Sequence, residues 1–128
     1  MKEEGGKFCD LTERVIGAAI EVHRTLGPGL LESAYEACLA REMTLRSVPF
    51  RRQVALPIDY KGERVDSAYR LDFLIDDAVI LEIKAVEETH PIHTAQLLTY
   101  LRLSRKPVGL MVNFNTKVLR DGIQRLSL

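Results

Sequence analysis

The chain reads as a mixed α/β domain in which a central sheet of mixed strand direction is flanked by helices, with an additional helix at its N-terminal end. Three observations carry this reading. Two stretches of helical apolar spacing precede Arg46, the period changes to two from Phe50 onward, and a third helical stretch separates a hairpin from the continuous apolar run VGLMVNF. A helix that leads from one strand to the next implies a crossover connection, and therefore parallel as well as antiparallel neighbours.

Residues 1–9 form a polar leader and residues 10–128 a single domain. Asp10 or Thr12 can cap a first helix, in which Leu11, Val15, Ala18, Ala19, Val22 and Leu26 recur at helical spacing. Gly27-Pro28-Gly29 stops it. A second helix is expected from about Leu30 to Leu45, with Leu31, Ala34, Tyr35, Cys38 and Leu39 on its apolar face and Glu32 in its first turn. Phe50, Val54, Leu56, Ile58 and Tyr60 then share one side of a strand, where Pro57 marks an edge or an irregular point, and Lys61-Gly62 turns into the next strand.

That strand runs to Ile75, Asp76-Asp77-Ala78 turns the chain, and Val79 to Val86 returns it. His90-Pro91 reads as the cap and first residue of a third helix, because proline's missing amide is harmless there. Ile92, Ala95, Leu98 and Leu101 mark its expected buried side, and the helix must end before Pro107. VGLMVNF suits a strand buried on both faces, and a short last strand follows near Gly122 to Leu126.

A chain of 128 residues that is 46% hydrophobic can bury one ordinary core. Its 18 basic and 18 acidic residues give no overall field that would advertise nucleic acid or a polyanion. The distribution is less even, since residues 71–90 carry −5 between flanking segments of +3 and +5. Cys9 and Cys38 are isolated and lack thiolate zinc spacing, no run has the length of a signal peptide or a membrane span, and a soluble cytoplasmic protein is expected.

The acidic centre raises the functional question. In YRLDFLIDDAVILEIKA, alternation sends Tyr69, Leu71, Phe73 and Ile75 one way and Arg70, Asp72 and Leu74 the other, while Ile80, Glu82 and Lys84 share a face of the returning strand. A three-residue loop pairs Ile75 with Val79, Phe73 with Leu81 and Asp72 directly with Glu82. Two carboxylates so placed repel. A shared proton, the Lys84 ammonium or a divalent cation bound by both would offset that repulsion. With Mg²⁺, the trio has the parts for metal-assisted phosphodiester hydrolysis; without it, the same residues are a solvated polar face or a polar network.

Other candidates have plainer readings. Glu32 is also a favourable charge at a helix start, Tyr35 and Tyr100 also fill core space with outward hydroxyls, and His23 suits a helix C-terminus. His90 and His93 lack a third ligand. Arg51, Arg52, Arg102, Arg105 and Lys106, with Lys117, Arg120 and Arg125, could jointly line a phosphate-binding groove around the acidic centre.

Gly29-x-x-Glu32-x-x-Tyr35, Asp72 followed by Glu82-x-Lys84, and Gln96 one turn before Tyr100 occur together with YRLDFLI, LEIKAV and VGLMVNF. In these elements the chain resembles the GxxExxY protein family of the PD-(D/E)xK nuclease superfamily, over about residues 10–126. The resemblance implies a restriction-endonuclease-like αβββαβ core. It makes Asp72, Glu82, Lys84 and Gln96 the catalytic set, Glu32 and Tyr100 accessory residues, and Asp72, Glu82, the Ile83 backbone carbonyl and in some members Glu32 the ligands of Mg²⁺ or Mn²⁺. Nucleic acid, foremost DNA, is the implied partner, and a homodimer is compatible with it. Leu71 stands where the superfamily's name has proline. The alternative is a catalytically inactive nucleic-acid- or protein-binding module on the same fold.

Overall fold

The structure is a computed structural model and describes residues 8–128; residues 1–7 of the expected leader lie outside the described residues. Its elements are α1 (Cys9–Leu26), α2 (Glu32–Leu45), β1 (Phe50–Tyr60), β2 (Glu63–Ile75), β3 (Val79–Lys84), α3 (Pro91–Ser104), β4 (Val108–Asn113), a 3-10 turn (Leu119–Gly122) and β5 (Ile123–Ser127). The five strands lie in the order of the chain, β1-β2-β3-β4-β5. Among the described residues only β3 and β4 are parallel, joined by the α3 crossover. This is the expected mixed sheet flanked by helices, preceded by the additional helix.

Two cores cover the faces of the sheet. On one, Val15, Ala19, Tyr35 and Leu39 of α1 and α2 pack on Phe73, Leu81 and Val112. On the other, Leu97, Tyr100 and Leu101 of α3 pack on Leu56, Leu74, Ile80 and Met111. All six residues of β4 are buried, as a continuous apolar run between two helical layers requires.

The helix starts differ from those expected. Neither Asp10 nor Thr12 caps α1: Phe8 is the N-cap, and the Thr12 hydroxyl donates to the Cys9 carbonyl at 2.9 Å. α2 begins at Glu32 because Gly27 and Gly29, at φ 73° and 100°, keep the chain out of the helix and leave Leu31 extended and 77% exposed. Cys38 is likewise exposed. Tyr35 is fully buried with its hydroxyl turned inward, accepting from Leu30 N–H at 3.2 Å and donating to the Gly27 carbonyl, while its ring stacks on Phe114 at 4.5 Å. The glycine turn and Tyr35 thus fix where α2 starts, and so where Glu32 sits.

α3 buries Leu97, Tyr100 and Leu101, whereas Ile92 and Ala95 are exposed. The cause is its close passage over β4, where a Cβ added to Gly109 would lie 2.9 Å from Leu97. His90 opens this helix as expected. Its Nδ1 accepts from Ile92 N–H, and His93 Nδ1 accepts from His90 N–H, a capping box built from two histidines.

Strand alternation also breaks. Phe50 packs toward α1 and α2, whereas Val54 and Leu56 pack toward α3; on the partner strand Phe73 and Ile75 face α1 and α2, while Leu71 joins Leu74 on the α3 side. The switch falls at Gln53, held at φ 51°, which lies across from Asp72 between the pairs Arg52↔Phe73 and Val54↔Leu71. The pairing keeps its register across that switch and shifts between Leu56 and Ile58, around Pro57 of this edge strand.

Tyr35→Phe leaves the Leu30 amide and Gly27 carbonyl without their side-chain partner and is expected to cost about 1–2 kcal/mol in urea denaturation. An unchanged midpoint would show that the hydroxyl does not hold the turn.

Candidate active site

β2 and β3 pair as Ile75↔Val79, Leu74↔Ile80 and Phe73↔Leu81, and there the ladder ends. The expected direct backbone pairing of Asp72 with Glu82 is replaced by side chains. Asp72 N–H donates to Glu82 Oε2 at 2.9 Å, and Ile83 N–H donates to Asp72 Oδ2 at 2.8 Å. The two carboxylates therefore satisfy the amides that the parting strands would otherwise leave open, which explains locally why charge sits in an apolar hairpin.

β3 stays regular beyond this point, since Glu82, Ile83 and Lys84 pair with Met111, Val112 and Asn113, and Phe114 N–H donates to the Lys84 carbonyl at 2.9 Å. Lys84 thus projects from a rigid strand end on the face of Glu82. Ile83 turns its amide toward Asp72, and because the amide and carbonyl of one strand residue lie on the same edge, its carbonyl faces the same gap. Buried Asn113 holds the following loop, accepting from Val86 N–H at 3.0 Å and donating to its carbonyl at 2.9 Å.

Electrostatics make the pair costly. Glu82 is 5% exposed, and burial, reinforced by the neighbouring Asp72 charge, pushes its carboxyl up to about 8. Burial likewise raises Asp72, against the opposing pull of the Ile83 amide and Lys84. Among the described residues neither carboxylate forms a salt bridge. Each commits one oxygen to a backbone amide, and Asp72 also interacts with the Gln53 side chain.

The remaining candidates divide. Burial raises the Glu32 carboxyl, which lies in the fields of Lys84 and Asp72, but among the described residues no three His, Cys, Asp or Glu side chains converge, so Glu32 does not close a cage with the pair. Buried Tyr100 is pushed up to about 12 by desolvation and by the charges of Glu82 and Asp72, which places it beside the site. Gln96 is half-buried on α3, one turn earlier. His23 is buried, its Nε2 2.7 Å from the Thr116 carbonyl.

Among the described residues, Arg51, Arg52, Arg102, Arg105 and Lys106 are held in different places. Arg51 and Lys106 both pair with Asp77 in the β2–β3 turn, at 3.4 Å and 3.3 Å, five residues from Glu82 along the chain. Arg52 pairs with Glu36 at 3.2 Å. Arg102 and Arg105 line a separate cleft near the far end of α3.

Two residues near the pair escape sequence reasoning. The Gln53 amide donates to both Glu36 carboxylate oxygens at 3.2 Å, Gln53 also bonds Asp72, and the Glu36 charge raises the Asp72 carboxyl. Glu36 follows Glu32 by one helical turn, a spacing visible in the sequence. Nothing in the sequence marks the positive φ of Gln53.

Between the ordinary carboxylate range and about 8, the folded state holds a proton on Glu82 that the unfolded chain has released. Stability of the metal-free protein is therefore expected to fall as pH rises through that window, by on the order of a few kcal/mol at most. Thermal unfolding between about pH 5 and about pH 8.5 should show this slope, and Glu82→Gln should flatten it. Equal slopes in the two proteins would rule out Glu82 as its source.

No curated protein matches the chain. Among solved structures, the "Crystal structure of SSO0001" is similar at 18% identity, covering 92% of this chain and 77% of that one, with a TM-score of 0.42. A sequence model of the PD-(D/E)XK nuclease superfamily matches residues 9–126. Nearly the whole chain is thus accounted for, and the protein belongs to the PD-(D/E)XK nuclease superfamily.

Proposed function

We propose that the protein is a divalent-metal-dependent nuclease that hydrolyses phosphodiester bonds of nucleic acid, foremost DNA. The observation that carries this reading is the pair of half-buried Asp72 and buried Glu82 at the point where β2 and β3 part, two carboxylates with raised proton affinity and no salt-bridge partner among the described residues. Asp72, Glu82 and the Ile83 carbonyl are the groups that would hold Mg²⁺ or Mn²⁺. An oxygen donor set with one or two carboxylates, completed by water and phosphate, suits such ions. The ion supplies neutralisation of phosphate charge and a more acidic water.

The chain's own groups complete the chemistry. Lys84, on the face of Glu82 and fixed by its pairing with Asn113, holds a phosphate oxygen and positions the attacking water. Glu32 contributes negative field, Gln96 orients polar groups of the substrate, and Tyr100 offers its phenol beside the carboxylates. Gly29-x-x-Glu32-x-x-Tyr35 supports placement in the GxxExxY family, with Tyr35 as the residue that sets the α2 start. Among the described residues no helix is long and apolar enough to cross a membrane, and a cytoplasmic location fits this reading.

The test is cleavage of single- and double-stranded DNA and RNA with Mg²⁺ or Mn²⁺. Wild type should cut at least one substrate and lose activity on chelation, while Asp72→Ala and Lys84→Ala should each lose about 100-fold or more, equivalent to ~2.7 kcal/mol of barrier. Equal cleavage by the variants would remove the assignment. Metal binding without cleavage of any substrate would identify a binding module.

A further inference from the structure

The β1–β2 hairpin outruns β3. β2 leaves the β3 ladder after Phe73, yet β1 and β2 stay paired to Tyr60↔Glu63, and β1 packs against α3. Between this projecting hairpin and the C-terminal part of α3 lies a cleft of about 410 Å³ with Leu56 and Leu103 in its lining. Arg64 enters it from the hairpin, Arg102 and Arg105 from the helix, and Asp59 is the one acid in the lining. All three arginines are exposed.

Their charge is available. Among the described residues neither Arg102 nor Arg105 forms a salt bridge, and Arg102 Nη2 donates only to the Thr99 hydroxyl, at 3.0 Å. Arg64 pairs with Asp66 at 2.7 Å, but both side chains are 68% exposed, and a pair so hydrated exchanges readily for a phosphate. Guanidinium forks suit phosphate oxygens.

The cleft lies further along α3 from the carboxylate site. Tyr100, beside Asp72 and Glu82, precedes Arg105 by five residues of the same helix, an axial step of about 7.5 Å. Between them stands Tyr69, opposite Leu56 in register, 36% exposed, its ring 5.4 Å from that of Tyr100. An exposed aromatic face between a phosphodiester-cleaving site and a row of guanidinium groups is the arrangement that carries a single strand, with a base stacked and the backbone tracked by charge.

We infer that the Arg64–Arg102–Arg105 cleft binds the phosphodiester backbone of a single nucleic-acid strand leaving the Asp72–Glu82 site, with Tyr69 stacking an unpaired base between them. This rests on the nuclease reading for what lies at the other end of the strand. It moves the backbone contact away from Arg51 and Lys106, whose charges are shared with Asp77.

The experiment is fluorescence anisotropy with a labelled single-stranded DNA of about twelve nucleotides and the matching duplex, without divalent metal and over a range of salt. Arg102→Ala/Arg105→Ala should weaken single-strand binding about tenfold and reduce the salt slope by about 1.4. Tyr69→Ala should weaken it while Tyr69→Phe retains it, and Arg51→Ala/Lys106→Ala should stay within about twofold of wild type. Circular dichroism checks that each variant is folded. Wild-type affinity and slope in the Arg102/Arg105 variant would overturn the cleft, as would tighter binding of duplex than of single strand. A wild type that binds the strand through these arginines but cuts nothing with Mg²⁺ would sink the nuclease reading and leave the cleft standing. One that cuts while the Arg102/Arg105 variant binds unchanged would sink the cleft alone.

Discussion

Where β2 parts from β3, two backbone amides lose their ladder partners, and the carboxylates of Asp72 and Glu82 take their place. An unpaired buried amide is expensive, so the strands can diverge there only if acceptors are supplied from side chains. Carboxylates supply them, at the cost of setting two like charges in a largely desolvated gap. The fold thereby tolerates repulsion at one spot in exchange for a hairpin free to project past the sheet. The chemistry and the architecture share one origin, because the interaction that opens the sheet also concentrates negative charge.

Everything nearby serves to hold that spot still. Parallel pairing with β4 and the Phe114 amide fix the Lys84 end of β3, while Asn113 clamps the loop beyond it. From the other face, the glycine turn and the Tyr35 hydroxyl set the start of α2, so that Glu32 enters the field of Lys84 and Asp72. Gln53 joins the α2 carboxylate Glu36 to Asp72 at the residue where both hairpin strands change face. α3 brings Tyr100 to the carboxylates and carries Arg102 and Arg105 onward.

Much of this was legible from residue pattern. Period changes located the helices and strands, the odd-length loop Asp76-Asp77-Ala78 set the register of Ile75 with Val79 and Phe73 with Leu81, and Glu82 and Lys84 fell on one face as alternation requires. Alternation failed where a local backbone conformation overrides it. Positive φ at Gln53 reverses the faces of β1, which no propensity of glutamine announces, and the matching switch at Asp72 sends Leu71 to the α3 core. The α3 stripe shifted because Gly109 lets the helix approach β4 at Leu97, a tertiary contact between residues twelve apart. Charge was the least legible, since Arg51 and Lys106 look free in sequence but converge on Asp77.

The central claim is that the Asp72–Glu82 pair is a cation site, and calorimetric titration of the metal-free protein with Mg²⁺ at neutral pH tests it most directly. With burial holding a proton on the pair, binding should release protons, seen as heats that differ between buffers of unlike ionisation enthalpy, and Asp72→Asn should abolish the binding. Binding without proton release, binding that survives in Asp72→Asn, or no binding at all would contradict it.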